Sequence, residues 1–391
     1  MGNYVQRWVE RAAMGFITTI ALVSAFGLVA LRPPMPRHSS PWNVQFTLGY
    51  LINEQPFLGL YWLAAGTVTT LARGDADMPL LWLSVGAVAV PVTVLIALAV
   101  RARTARPALR AALRQGLGDH CPQTAVLRRS RIPLIRVLFL PVISYRPDVR
   151  RFRNLRYGEA RRGHLLDVYA SRRPPQGAPV LIYLHGGGFR IGSKMLGARP
   201  LLYRLASHGW VCVSANYRLS PRASYGDRVI DVKRVIAWVR EHGAAYGADP
   251  STVILAGGSA GAHLAATAAL TVGDARFQPG FEAVDTSISA VVAMYGYYGP
   301  TGSEDDAPSS PLAYLHAEAP PFLIIHGTLD TLVLVEDARH FADELARASD
   351  QLVVYAELPG TQHNFDLFHS LRFHAVTDAV ESFVTCVHAR T

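Results

Sequence analysis

The chain has 391 residues, 50% of them hydrophobic, with a formal net charge of +9 and a mean hydropathy of +0.18. That length holds one large domain or two smaller ones, and the apolar content is high for a soluble protein, its excess lying in the first hundred residues. The positive charge comes largely from arginines between Arg101 and Arg162; with no basic helix interleaved with aromatics, nucleic-acid readout is set aside and attraction to anionic lipid beside a membrane is the simpler account.

Residues 12–31 form an uncharged apolar run long enough to span a bilayer, with Arg7 and Arg11 before it and Arg32 after it. The run is long for the apolar part of a signal peptide, and Leu28-Val29-Ala30 is a poor cleavage site, so an uncleaved span is expected. Residues 57–72 are a shorter candidate, helped by Tyr50, Tyr61 and Trp62, and residues 78–100 a stronger one with Pro91 as a kink point. Between them, residues 73–77 read as a tight hairpin. The expectation is a transmembrane region over residues 1–110 with about three spans.

Arginine positions orient it. Placing the end of the third span in the cytoplasm puts Arg32, Arg37, Arg101, Arg103, Arg106, Arg110 and Arg114 inside and Arg7, Arg11 and Arg73 outside, seven against three. The expected location is therefore the cell membrane, multi-pass, with the C-terminal domain cytoplasmic. Residues 111–150 form a basic connector that would meet membrane lipids together with the spans. Within it, residues 132–141 are apolar but too short and proline-bounded to cross; they lie at the interface, cover the mouth of a pocket, or pack as an ordinary buried segment.

Over residues 151–391 the pattern changes to short strand-like runs alternating with amphipathic helices. Strands are expected at 165–170, 180–184, 211–215, 253–256, 288–294, 322–325 and 352–356, and helices at 201–208, 227–246, 260–271, 334–348 and 371–389. Such alternation implies an α/β domain whose mostly parallel sheet is covered by helices. Cys121, Cys212 and Cys386 lack the paired spacing of a disulfide framework or a zinc site, and Cys212 falls within an apolar strand.

Three motifs sit at strand ends. His185-Gly186-Gly187-Gly188-Phe189 follows the strand at 180–184, and successive glycines let backbone N–H groups turn toward a ligand, as an oxyanion hole requires. Gly257-Gly258-Ser259-Ala260-Gly261 lies between an apolar run and a small-residue helix, the setting of a nucleophile elbow in which Ser259 stands on a strained turn. His326-Gly327-Thr328-Leu329-Asp330 and Gly360-Thr361-Gln362-His363 follow the next strands, so the chain order is serine, acid, histidine. Asp330 and His363 are the expected acid and base. Glu336 and Asp337 fall on a helix, Asp366 lies too close to His363, His369 and His374 lie in or near the last helix, and His185 is better placed to orient the glycine loop.

The region from about Arg153 onward resembles α/β-hydrolases of the hormone-sensitive-lipase-like carboxylesterase group, through His185-Gly186-Gly187-Gly188 and Gly257-x-Ser259-Ala260-Gly261. The front half is similar to membrane-anchored actinobacterial esterases. The resemblance implies an α/β-hydrolase fold behind an N-terminal transmembrane helical region, and a Ser259, Asp330, His363 triad. It also implies oxyanion donors on the backbones of Gly187, Gly188 and Ala260, with no metal or organic cofactor. Two departures bear on substrate: Gly258 stands where the group commonly has aspartate, and Ala262-His263 replace a second glycine. The wording Ser-Ala-Gly-Ala-His is also similar to prenylcysteine methylesterases and aryl formamidases. The expectation is a serine carboxylesterase or lipase acting on small-molecule or lipid esters. An amide or formamide hydrolase is the alternative, and a catalytically silent binding or scaffold protein is the alternative from another class.

Overall fold

The computed structural model of the chain describes residues 2–36, 44–73, 79–118, 130–173, 175–302 and 307–389. Its front part is helical: α1 (Gly2–Leu31), α2 (Val44–Glu54), α3 (Pro56–Arg73), α4 (Pro79–Ala87) and α5 (Ala89–Ala102). Phe16, Ile20, Leu63, Val94, Leu95 and Leu98 meet in a small cluster of their own, while Leu22, Trp62, Leu83 and Ile96 stay exposed. The runs Met14–Leu31 and Trp82–Leu117 are long and apolar enough to cross a membrane, and Pro56–Ala72 is a shorter apolar helix. The single helix expected over 78–100 is interrupted at Val88, giving α4 and α5. Pro91 has no N–H to offer the carbonyl of Ala87, so the helical ladder breaks there. Helix α2 falls where no element was anticipated, and residues 74–77 of the expected hairpin lie outside the described residues.

Helix α6 (Ala105–Leu117) runs through residue 110, with Ala105, Leu109, Leu113 and Leu117 on one fully buried stripe. The short helix α7 (Leu134–Phe139) buries Val137 and exposes Leu134, Ile135 and Phe139; the Phe139 ring stacks on Tyr61 of α3, centroids 5.6 Å apart.

There follow β1 (Val149–Arg156), β2 (Leu165–Ser171), β3 (Ala178–Leu184), α8 (Arg199–Ser207), β4 (Val211–Ala215), α9 (Tyr225–His242) and β5 (Ala248–Gly258). The chain continues through α10 (Ala260–Leu270), β6 (Ala290–Met294), β7 (Phe322–Gly327), α11 (Val335–Ala348), β8 (Val353–Leu358) and α12 (Leu371–His388). They build an eight-stranded sheet in the order β1-β2-β4-β3-β5-β6-β7-β8, antiparallel at the β1 edge and parallel from β4 to β8. All seven anticipated strands are present. The unanticipated one, β1, carries Arg150, Arg151, Arg153 and Arg156, as suits an edge strand.

Side chains alternate across the sheet. Val180, Ile182 and Leu184 of β3 join Leu255, Ile324 and the inner faces of α9, α10 and α11. Leu181 and Tyr183 point the other way, to α6, α8 and α12. Period two thus feeds two cores, and each fully buried leucine, valine or isoleucine contributes roughly 1.5–3 kcal/mol. Parallel pairing brings the C-terminal ends of β3, β5, β7 and β8 to one edge of the sheet.

A polar seam joins the front helices to the sheet domain. Glu54 and Arg372 form an ion pair with both side chains at 0% exposure, and Glu54 also accepts from the Ser370 hydroxyl at 2.9 Å. Gln55 donates to the carbonyl of His369 at 3.0 Å and Asn53 to that of Gly360 at 3.3 Å. Arg101 donates to the Ala30 and Leu31 carbonyls that end α1 and to Asn53 Oδ1. Cys212 is a buried free thiol, as its apolar strand implied. Cys386, in contrast, is disulfide-bonded, which corrects the expectation drawn from spacing. Cysteines far apart in a chain can meet through the fold, and spacing does not register that.

Candidate active site

Strand β5 ends at Gly258 and α10 begins at Ala260, so Ser259 alone makes the turn, with φ 54° and ψ −120°. A non-glycine residue holds such a conformation only when its surroundings enforce it. Here the Ser259 N–H donates to the carbonyl of Met294 at 3.0 Å, and its own carbonyl accepts from Ala262 and His263 of α10. Any Cβ on Gly257 would run into the Gly261 backbone, and any on Gly261 into the carbonyl of Leu184. Strand, turn and helix are therefore in backbone contact, which only glycine allows. A Cβ on Gly258 would strike the Tyr295 hydroxyl. A side chain at position 258 would require the buried Tyr295 ring to move, which suits glycine there.

His363, on the loop after β8, places Nε2 2.9 Å from Ser259 Oγ and Nδ1 2.6 Å from Asp330 Oδ2 on the loop after β7. A carboxylate only accepts, so Nδ1 carries the proton and the neutral ring turns a lone pair toward the serine. The other Asp330 oxygen accepts from the backbone N–H groups of Leu332 and Val333, both at 2.9 Å. Burial alone would push the Asp330 carboxyl up, but the charge His363 carries once it is protonated, together with hydrogen bonds from His326 and His363, holds it well below the usual carboxylate range. Gln362 ties the two loops together: its Oε1 accepts from Thr331 N–H at 2.8 Å and His363 N–H at 3.0 Å, and its Nε2 donates to Thr331 Oγ1 at 3.0 Å.

The glycine loop lies beside the serine, since a Cβ on Gly186 would be 3.1 Å from that of Ser259. Gly187 and Gly188 take φ of 123° and 58°, and the N–H groups of Arg190 and Ile191 close the turn onto the Gly187 carbonyl at 3.1 Å each. Among the described residues, the N–H groups of Gly187, Gly188 and Ala260 have no acceptor. His185 stacks on Tyr217 with centroids 4.4 Å apart and donates from Nδ1 to the Gly186 carbonyl at 2.7 Å.

The imidazole of His363 is flanked by two aromatic rings at steep angles, Tyr295 at 4.6 Å and Phe46 at 5.9 Å. Phe46 belongs to α2, so the front helices reach the site itself. Phe46 was not anticipated, and Gln362 stood in the quoted motif without a role; their contacts arise from tertiary placement, which no local pattern registers. Of the rivals, Asp366 lies deeper, accepting from the hydroxyls of Tyr183 and Tyr295 at 2.6 Å each and from Ala198 N–H at 3.0 Å. Glu336 and Asp337 begin α11, while His369 and His374 line a separate cavity. Among the described residues there is no group of three or more histidine, cysteine or acidic side chains placed to hold a metal. A hydroxyl, an imidazole and a carboxylate in line can pass a proton from the first to the second while the third holds the ring, which is the requirement for a serine to attack a carbonyl.

The family described as BD-FAE matches residues 166–305. A probable carboxylic ester hydrolase of Mycobacterium tuberculosis, LipM, is 38% identical over 410 residues, covering 95% of this chain and 93% of that protein. A probable isoprenylcysteine alpha-carbonyl methylesterase of Oryza sativa is 37% identical over 147 residues, 38% of this chain and 34% of that protein. Among solved structures, esterase 2 of Thermogutta terrifontis in its apo form superposes with a TM-score of 0.52 at 25% identity, covering 61% of this chain and 94% of that one.

Proposed function

The chain belongs to the carboxylic ester hydrolases of the α/β-hydrolase fold, in the hormone-sensitive-lipase-like group, and on that premise we propose that it cleaves apolar esters at Ser259 while anchored in a membrane. The observation that carries the assignment is the contact chain from Ser259 through His363 to Asp330, at 2.9 and 2.6 Å. His363 takes the Ser259 proton as the hydroxyl attacks the ester carbonyl, and Asp330 fixes the tautomer and stabilises the charged ring. The N–H groups of Gly187, Gly188 and Ala260 receive the oxyanion, each such donor being worth roughly 3 kcal/mol of barrier. His363 then protonates the departing alcohol, and water repeats the sequence on the acyl-enzyme.

The anchoring and the preference for apolar esters rest on the front helices. They are apolar toward their own small cluster and apolar outside, a pattern that suits lipid surroundings. Phe46 on His363 adds an apolar wall at the reacting centre. The arginine balance expected from the sequence, seven against three, supports a catalytic domain on the cytoplasmic side. The disulfide at Cys386 pulls the other way, because such bonds are rare in a reducing cytoplasm.

Hydrolysis of a p-nitrophenyl ester series by the detergent-solubilised full chain tests the reading, with matched formamides alongside. The expected outcome is ester hydrolysis that Ser259→Ala lowers by about ten-thousandfold or more in kcat/KM, without loss of folded protein. Undiminished ester hydrolysis by Ser259→Ala would remove the serine from the mechanism, and faster turnover of formamides would replace the substrate class.

A further inference from the structure

A cavity of about 260 Å³ lies where α7, α8 and α12 meet, lined among others by Arg131, Arg136, Arg146, Arg204, His369 and His374. None of these residues touches Ser259, His363 or Asp330, so it is a separate site. Its charge is only partly compensated. Arg204 is engaged by Asp378 at 2.5 Å and Glu381 at 2.6 Å. Among the described residues Arg146 meets only the exposed Asp148, at 3.3 Å. Arg136 donates to the carbonyls of Ile143 at 3.2 Å and Tyr145 at 2.9 Å, neutral acceptors that leave its positive charge in place. Among the described residues Arg131 has no carboxylate partner. His374 Nε2 faces the Ser130 hydroxyl at 2.9 Å, whereas His369 Nε2 is buried with no partner. Guanidinium groups gathered this way repel one another until an anion joins them, and their fork of N–H donors matches phosphate oxygens.

The outer face of the same element is apolar. While Arg136 and Val137 of α7 turn to the cavity, Ile135 (68%), Phe139 (62%) and, just beyond, Val142 (64%) are exposed. Phe139 stacks on Tyr61 of α3, so this surface continues into the exposed Tyr61 and Trp62 of a front helix. A contiguous apolar surface bordering a cationic pocket is the complement of a molecule with an anionic head and hydrocarbon tails.

We infer that the cavity between α7, α8 and α12 binds the phosphate headgroup of an anionic phospholipid whose acyl chains lie along the exposed face of α7. The inference rests on the membrane anchoring proposed above and adds a lipid site distinct from the ester site. A phosphatidylcholine headgroup would bring its own cation against the arginines, and inorganic phosphate would leave the apolar face uncovered.

The test is native mass spectrometry of the detergent-solubilised full chain titrated with a diether phosphatidylglycerol, which has no carboxylic ester for the enzyme to cleave. Diether phosphatidylcholine and inorganic phosphate are the comparison arms. Retention of the phosphatidylglycerol is expected, with R131E/R146E weakening it about tenfold or more and both comparison ligands binding correspondingly less well. A second variant, I135S/V142S, weakens the lipid and leaves any phosphate binding alone. Equal retention of phosphatidylcholine, equal binding of inorganic phosphate, or retention unchanged in both variants would each overturn the inference. Turnover of a p-nitrophenyl ester shows that the variants fold, and recovery in the membrane fraction tests the anchoring separately.

Discussion

His185 sits behind the glycine loop, stacked on Tyr217 and closed off from solvent, and burial pushes its pKa from 6.5 down to about 4 although the Gly186 carbonyl partly opposes the shift. The folded state therefore resists a proton that the unfolded chain accepts. Stability from this group is complete above pH 6.5 and is lost as the pH falls from 6.5 toward 4, roughly 3 kcal/mol in all. Thermal unfolding of the solubilised chain between pH 7.5 and 4.5 should show a decline to which the likewise buried His263, His369 and His374 add, and His185→Asn should make it shallower; an identical pH profile in the variant would rule out His185 as one of its sources. Ser259, Asp330 and His363, which meet in space, each carried a local signal in the sequence: a glycine turn, or a polar loop just past an apolar strand. Gly258 was legible only as an oddity, because the Tyr295 hydroxyl that would crowd a side chain there comes from a different strand end.

Strands β2 to β8 were legible because their branched and aromatic residues stand between turn residues, while β1, with four arginines, resembles a charged loop until the sheet edge is seen. Helix α2 was invisible for a related reason. Its value lies in Phe46 and in Asn53, Glu54 and Gln55, whose partners Gly360, His369, Ser370 and Arg372 lie some three hundred residues on. The Glu54–Arg372 pair makes a sharp prediction at this scale. Arg372→Met strands a buried carboxylate and should cost about 3–5 kcal/mol, whereas Glu54→Gln combined with Arg372→Met should recover much of it. Melting temperatures of the single and double variants decide the matter, and strictly additive losses would mean that the two side chains do not depend on each other.

At the scale of the whole molecule, arginine count and cysteine chemistry assign opposite sides of the membrane to the catalytic domain. The mass of the proteolytic peptide carrying Cys386, taken from membranes alkylated before lysis and kept free of reductant, separates them. Cytoplasmic placement expects an alkylated thiol, and a bridged peptide would move the domain to the oxidising face. The seam between the two halves carries its own consequence. Asn53 holds the Gly360 carbonyl, Arg101 packs on Gly360, and Phe46 rests against His363, so the loop bearing the imidazole is gripped by α2 and the end of α5, which adjoin the helices proposed to stand in lipid. Whatever tilts those helices pulls on that loop. With the proposed anchoring, hydrophobic mismatch would become a kinetic variable: the same chain in a thin bilayer and in a thick one would be two differently tuned catalysts, with the lipid an adjustable part of the enzyme.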